Sequence, residues 1–252
     1  MIEIITTKGI AIMFRQLCKT FAAFSLILLI FGTSAWDNAC SAATIIGSPV
    51  ALSTLTVPGG TITAGDKTFT NFTYNFTGDM PPGVNVNVIP ITDDAGNFGI
   101  RFQGAFIDTT GVAGGSDALI TYTVTAGPGR LISDAHIEGN PTRLGTLGSI
   151  SVTETFLPLN QVPPYRMSIY DDQNLGAKLV DSTAFTPIKS LNVQKDILGL
   201  AKVNPNSPEG PQTVTMSFVD QTFSQIPEPA SALLLVGGVL SLGFARKRRQ
   251  AI

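Results

Sequence analysis

Along residues 44–229 the apolar positions recur at every second residue, not at every third or fourth. Residues 67–76 set Phe69, Phe72, Tyr74 and Phe76 among Thr and Asn, and Val84, Val86 and Val88 alternate with Asn85 and Asn87. Further runs of this kind fall at 100–107, 118–126, 150–156, 166–170, 178–180, 191–200 and 213–223. A period of two places alternate side chains on one face of a strand, so these runs predict half-buried strands with one wet face. Gly, Pro, Asn and Asp cluster between them, at 58–60, 78–83, 93–97, 127–129 and 204–211, where chain reversals need them. No ten-residue stretch of this region has a convincing amphipathic helical period. About ten short strands divided by turns predict an all-β fold, an antiparallel β-sandwich of jelly-roll type. The absence of a repeat of constant length argues against a propeller or solenoid.

The two ends of the chain depart from this pattern. Residues 21–31 read Phe-Ala-Ala-Phe-Ser-Leu-Ile-Leu-Leu-Ile-Phe, with Arg15 and Lys19 before them and small residues after them at 32–35 and 40–43. A basic start, a short apolar run and a small-residue exit predict a secretory signal peptide, and the run falls short of the roughly 20 residues of a membrane span. Cleavage is expected after Ala42 or Ala43, with Ala35 as the alternative. Met13 begins a more typical signal peptide than Met1, so residues 1–12 read as an upstream mis-start. Cys40 follows Asp37-Asn38-Ala39, an acidic context that suits lipidation poorly; it reads as a small residue in the signal exit.

At the other end Ile226-Pro227-Glu228-Pro229 leads into the uncharged residues 230–245 and then Arg246-Lys247-Arg248-Arg249. Two prolines around Glu228 keep the backbone extended. Sixteen apolar residues would rise about 24 Å as a helix against a hydrocarbon core of about 30 Å, a short span that snorkelling side chains and local thinning accommodate. The four cations keep this end cytoplasmic. A precursor with both ends inside and the middle outside follows from these two segments.

Charge sharpens the division. Residues 44–229 hold nine basic and sixteen acidic side chains, a net charge of −7, while residues 230–252 hold four basic and no acidic ones. Nothing in that balance favours nucleic acid as a partner. Only 13% of the chain is charged and 44% is hydrophobic, which excludes an intrinsically disordered chain. Cys18 and Cys40 are the two cysteines, so residues 44–229 cannot form a disulfide and must be held by packing and strand pairing.

The Pro-Glu-Pro signature, short apolar run and terminal basic cluster together resemble the PEP-CTERM sorting signal of Gram-negative bacteria. Proteins of that family also begin with a signal peptide. Pro227, Glu228 and Pro229 match the motif positions, with Ile226 where Val is commoner, and Arg246, Lys247, Arg248 and Arg249 match the basic stop. Residues 217–225 also look like the lead-in of one subgroup. The resemblance covers about 35 residues and implies an exosortase-like membrane protease as partner, transient membrane residence of the C-terminal helix, and delivery to the cell surface or the extracellular polysaccharide. The rival reading is a plain single-pass anchor that nothing processes. The expected organisation is a signal peptide over 1–43, an extracellular β-sandwich over 44–225 and the sorting signal over 226–252.

Candidate chemistry in the middle region is sparse. His136 is the single imidazole, in Ser133-Asp134-Ala135-His136-Ile137-Glu138. A Ser/His/Asp site needs a nucleophile on a defined turn, and no Gly-x-Ser-x-Gly occurs, so His136 reads as a strand-face or surface residue. A zinc site is weaker still. Asp93 and Asp94, and Asp171 and Asp172, gather oxygen ligands in loops that could attract calcium, but they lack EF-hand spacing and suit ordinary turns. Glu138, Glu154, Glu209 and Glu228 show no spacing that marks a glycosidase pair. Tyr165, beside Pro163-Pro164, stands out as an exposed aromatic. Asn71-Phe72-Thr73 and Asn75-Phe76-Thr77 match the glycosylation pattern but read as strand residues. The expectation is therefore a structural or adhesive protein that needs no cofactor and works in the extracellular polysaccharide or biofilm layer, with a carbohydrate-binding module as the alternative and a hydrolase last.

Overall fold

Thr, Val, Ile and aromatic side chains suit a pleated surface with one wet face, and they build nearly every element of this protein. A computed structural model describes residues 43–110, 115–157, 165–203 and 212–228. Two helical pieces appear among them, α1 (Leu52–Leu55) and a 3-10 turn (Gly83–Asn85); the rest of the regular structure is strand. No helix among the described residues is long and apolar enough to cross a membrane. The expected signal peptide over 1–43 falls outside the described residues except for Ala43, and so do Pro229 and the C-terminal apolar and basic segments.

The strands, in chain order, are β1 (Thr44–Ile45), β2 (Val50–Ala51), β3 (Thr61–Ala64), β4 (Lys67–Phe76), β5 (Asn87–Thr92), β6 (Phe98–Thr109), β7 (Ser116–Ala126), β8 (Arg130–Gly139), β9 (Thr142–Leu144), β10 (Ser149–Leu157), β11 (Arg166–Asp172), β12 (Gly176–Lys178), β13 (Val180–Ile188), β14 (Ser190–Leu200) and β15 (Thr213–Pro227). They form two antiparallel sheets. One runs β1-β5-β6-β15-β8-β13, with β2 beside β5 and β9 beside β15; the other runs β12-β11-β10-β14-β7-β4-β3. The two sheets pack face to face over one apolar core that draws on both. Phe69 of β4 meets Phe223 of β15 with ring centroids 6.2 Å apart, and Tyr122 of β7 meets Phe102 of β6 at 5.8 Å. Such tilted aromatic contacts between sheets add to the burial that drives the packing.

Local irregularities explain where the two-residue pattern slips. Phe69 and Phe72 are both buried although three positions apart. Between them the pairing of β4 with β7 shifts register, and Asn71 takes a left-handed conformation with φ 57°. The extra residue of this bulge turns Phe72 back to the core, and Asn tolerates that backbone better than most residues. The expected strand through Val84, Val86 and Val88 is only half present. Pro81-Pro82 lead into the 3-10 turn, closed by the Asn85 amide donating to the Pro82 carbonyl at 2.8 Å. Val84 is exposed there while Val86 and Val88 are buried. Tyr165 is not the exposed aromatic the sequence suggested; it is half-buried and packs on the core.

The core also holds ionisable groups. Glu154 of β10 and Lys195 of β14 sit opposite each other in register, both fully buried and in direct contact. Lys195 also donates to Gln221 Oε1 of β15 at 3.1 Å, so the pair reaches across to the other sheet. Burial pushes the Glu154 carboxyl up and the Lys195 ammonium down, and each partner's charge pulls the other back towards ionisation.

Candidate functional site at the end of the last strand

The turn between β7 and β8 reads Ala126-Gly127-Pro128-Gly129-Arg130. Pro fixes the backbone for the second position of a tight turn, and Gly129, at φ 68°, supplies the left-handed third position that a side chain would disfavour. The Arg130 amide closes the turn onto the Gly127 carbonyl at 3.3 Å. The carbonyls of Gly127, Gly129 and Arg130 in this short segment all accept hydrogen bonds from outside or across the turn.

The last strand ends against this turn. β15 is flanked by β6 and β8 as far as Phe223; beyond that, pairing continues only with β8, through Ile226 opposite Leu131 and Pro227 opposite Arg130. The Glu228 amide then donates to the Gly129 carbonyl at 2.9 Å. Lys189, between β13 and β14, ties the assembly together. Its ammonium donates to the Gly127 carbonyl at 2.6 Å, the Arg130 carbonyl at 3.1 Å and the Glu228 carboxylate at 3.0 Å. A second anchor lies just before: the Lys67 ammonium contacts the Gln225 carboxamide and donates to the Asp66 carboxylate at 2.9 Å. Lys67 is fully buried, and desolvation holds its ammonium below the usual lysine range despite Asp66. Strand β15 therefore runs past residue 225, and two of the three motif residues, Pro227 and Glu228, are part of the folded sandwich. Pro229, Arg246, Lys247, Arg248 and Arg249 lie outside the described residues.

The other candidates come out as follows. His136 stands on the outer face of β8, and its Nε2 faces both Asp134 Oδ1 at 3.0 Å and Ser224 Oγ at 3.3 Å. The three residue types of a hydrolytic triad are thus brought together. A working triad needs one ring nitrogen for the carboxylate and the other for the nucleophile, whereas here one nitrogen serves both. Asp93 is occupied by its own turn, accepting from the Asn97 amide at 2.8 Å and from Thr222 Oγ1 at 2.8 Å, and Asp94 is exposed. Asp171 pairs with Arg143 Nε at 2.7 Å. Asp172 accepts the amides of Asn174 and Leu175, which hold its carboxyl below the ordinary value. Among the described residues, no group of three or more His, Cys, Asp or Glu side chains is placed to hold a metal.

A groove of about 460 Å³ lies on the outer face of the first sheet, lined by Asp93, His136, Glu138, Asp181, Asp220 and Thr222 among others. Its carboxylates are largely committed. Asp220 takes Arg101 in a two-point contact at 2.6 and 2.7 Å, and that guanidinium lies 4.4 Å from the Phe218 ring centroid. Asp181 pairs with Lys178 at 2.8 Å. Burial raises Asp220 and its contact with Arg101 opposes the rise. These are the features of a braced surface.

The docked strand end is also where the chain matches a known family. Residues 225–249 match the PEP-CTERM protein-sorting motif. The chain thus carries a PEP-CTERM sorting motif at these residues, and a motif of this kind implies export and processing by exosortase, a membrane protein. No curated protein matches the chain. Among solved structures, that of TmCBM61 in complex with beta-1,4-galactotriose is similar at 10% identity over 62% of this chain and 88% of that one, with a TM-score of 0.26. The enzymatically active domain of bacteriophage CBA120 tailspike protein 4 is similar at 14% identity over 61% of this chain and 19% of that one, with a TM-score of 0.23. Likenesses this faint carry no argument about the fold or the activity of this chain.

Proposed function

We propose that this chain is exported by its N-terminal signal, held in the membrane by its C-terminal segment, processed at Pro227-Glu228-Pro229 by an exosortase-like enzyme, and left at the cell surface or in the extracellular polysaccharide as a structural or adhesive protein without catalytic activity. The observation that carries this reading is the motif at residues 225–249, which begins inside the last strand of a folded sandwich. The front of the motif, Gln225 to Glu228, thus belongs to the folded passenger. The non-catalytic part is supported by the single-nitrogen geometry at His136 and by the bracing of the acidic groove. Replacing Arg246, Lys247, Arg248 and Arg249 with alanine, or Glu228 with alanine, should leave unprocessed precursor in the membrane. An immunoblot of fractionated cells reads this directly, and normal processing of both variants would favour a plain anchor.

A second reading, carbohydrate binding, draws on the outer face of the second sheet. Thr73 and Thr121 share a hydrogen bond at 2.6 Å, and Thr123 donates to Asn192 at 2.8 Å. A pleated face of hydroxyls and carboxamides suits a neutral glycan better than a charged ligand. Binding of the purified sandwich on a glycan array supports this reading, and silence across all glycans counts against it.

A further inference from the structure

The sorting motif is not displayed on a free tail. Gln225, Ile226, Pro227 and Glu228 are engaged by the domain that precedes them, and sequence leaves Pro229 alone between Glu228 and the apolar run that starts at Ala230. The Glu228 backbone amide, bonded to Gly129, cannot at the same time be bonded inside an enzyme's cleft, and the Glu228 side chain is held against the turn by Lys189. Nor does the sequence supply slack: the motif follows the last strand without a linker.

Resting on the reading above, we propose that the sandwich masks the front half of its own sorting motif, that processing requires residues 224–228 to peel from β8, and that Lys189 is the latch that sets how often they do. Release is geometrically sufficient. Five residues in extended form add about 17 Å of tether between the domain and the membrane segment. It is also local. Beyond Phe223 the strand has lost its β6 partner, so peeling breaks one ladder and leaves residues 219–223 paired with both β6 and β8. Strand ends held on one side open far more readily than a whole domain unfolds. Lys189 is placed to control this opening because its single ammonium joins the turn carbonyls to Glu228. Both ends of that ion pair keep substantial solvent contact, 42% for Lys189 and 35% for Glu228, so the latch is weak enough to open without help.

The test is pulse-chase processing of the full chain in cells that carry the processing enzyme. Lys189→Gln should be processed about threefold faster than the parent, the scale set by losing one exposed ion pair. Lys189→Arg, which keeps the charge, should return towards the parental rate. Lys178→Gln serves as the control, because it removes a comparably exposed ion pair, with Asp181, elsewhere in the sandwich. Acceleration by Lys189→Gln alone, reversed by Lys189→Arg, is the expected result. Equal or slower processing of Lys189→Gln overturns the latch, and so does equal acceleration by Lys178→Gln, which would reflect general loosening. The variant with alanine at Arg246, Lys247, Arg248 and Arg249 runs alongside. If it is processed normally, the sorting reading itself fails; if it stalls while Lys189→Gln behaves as the parent, only the latch fails.

Discussion

Two lysines six residues apart show how differently one protein uses the same chemistry. Lys195 lies in the middle of β14, fully buried against Glu154. Lys189 lies just before that strand, half in solvent, against Glu228. In the interior the two charges have given up water and have little else to turn to, so the loss of one partner strands the other in a medium that cannot solvate it. At the domain's end either partner can return to water, so the pair is worth little and opens readily. The first pair belongs to a core that must not open. The second guards a segment that has to open once.

The largest expected effect breaks the interior pair. Lys195→Met should destabilise the domain by about 3–5 kcal/mol at neutral pH, read by denaturant melts, because Glu154 remains buried without its cation. The loss should shrink as pH falls, since the Glu154 carboxyl, already raised by burial, takes up a proton. The double change Glu154→Leu with Lys195→Met should recover most of that stability. A double variant as unstable as the single would mean that the pair contributes more than mutual compensation.

A smaller effect is expected on the outer face of the second sheet, where Asp196 of β14 titrates at about 6, raised first by burial and then by the hydrogen bond and charge of neighbouring Asp117. Its ordinary value is 3.8. A carboxyl whose folded value lies above its unfolded one binds its proton more tightly in the folded state. The stability that proton brings is whole below about pH 4 and disappears as the pH climbs through about 6. Asp196→Asn should therefore gain about 1 kcal/mol at pH 7, after discounting for solvent screening at this half-exposed site, and almost nothing at pH 4. The smallest effect sharpens the contrast: Lys189→Gln should lower global stability by only about 0.7 kcal/mol, the free energy that corresponds to its threefold effect on processing.

Much of the sandwich was legible from alternation alone. The runs at 67–76, 118–126 and 191–200 coincide closely with β4, β7 and β14. β8 is less legible: His136 reads as a strand-face or surface residue, but the buried Ile132, Ala135 and Ile137 are spaced by three and then two, a bulge having displaced the period. β13 shows the alternating pattern only at its start, since Val180–Ile188 is an edge strand that contains Pro187. The buried ion pair did leave a trace. Lys195 falls in phase with Val193 and Ile197, and Glu154 with Val152 and Phe156, so opposite charges occupied two inward faces. The family motif was legible because its chemistry is local to a few consecutive residues. Its docking was not, because Lys189 and Glu228 are brought together only by the tertiary fold.

Intact mass and terminal mapping of the mature protein, recovered from the envelope and the medium of growing cells, test the central claim most directly. The account predicts molecules that have lost the N-terminal signal and end at or near Pro227-Glu228-Pro229, without the apolar segment and without Arg246, Lys247, Arg248 and Arg249. Mature molecules that keep residues 230–252 would contradict it.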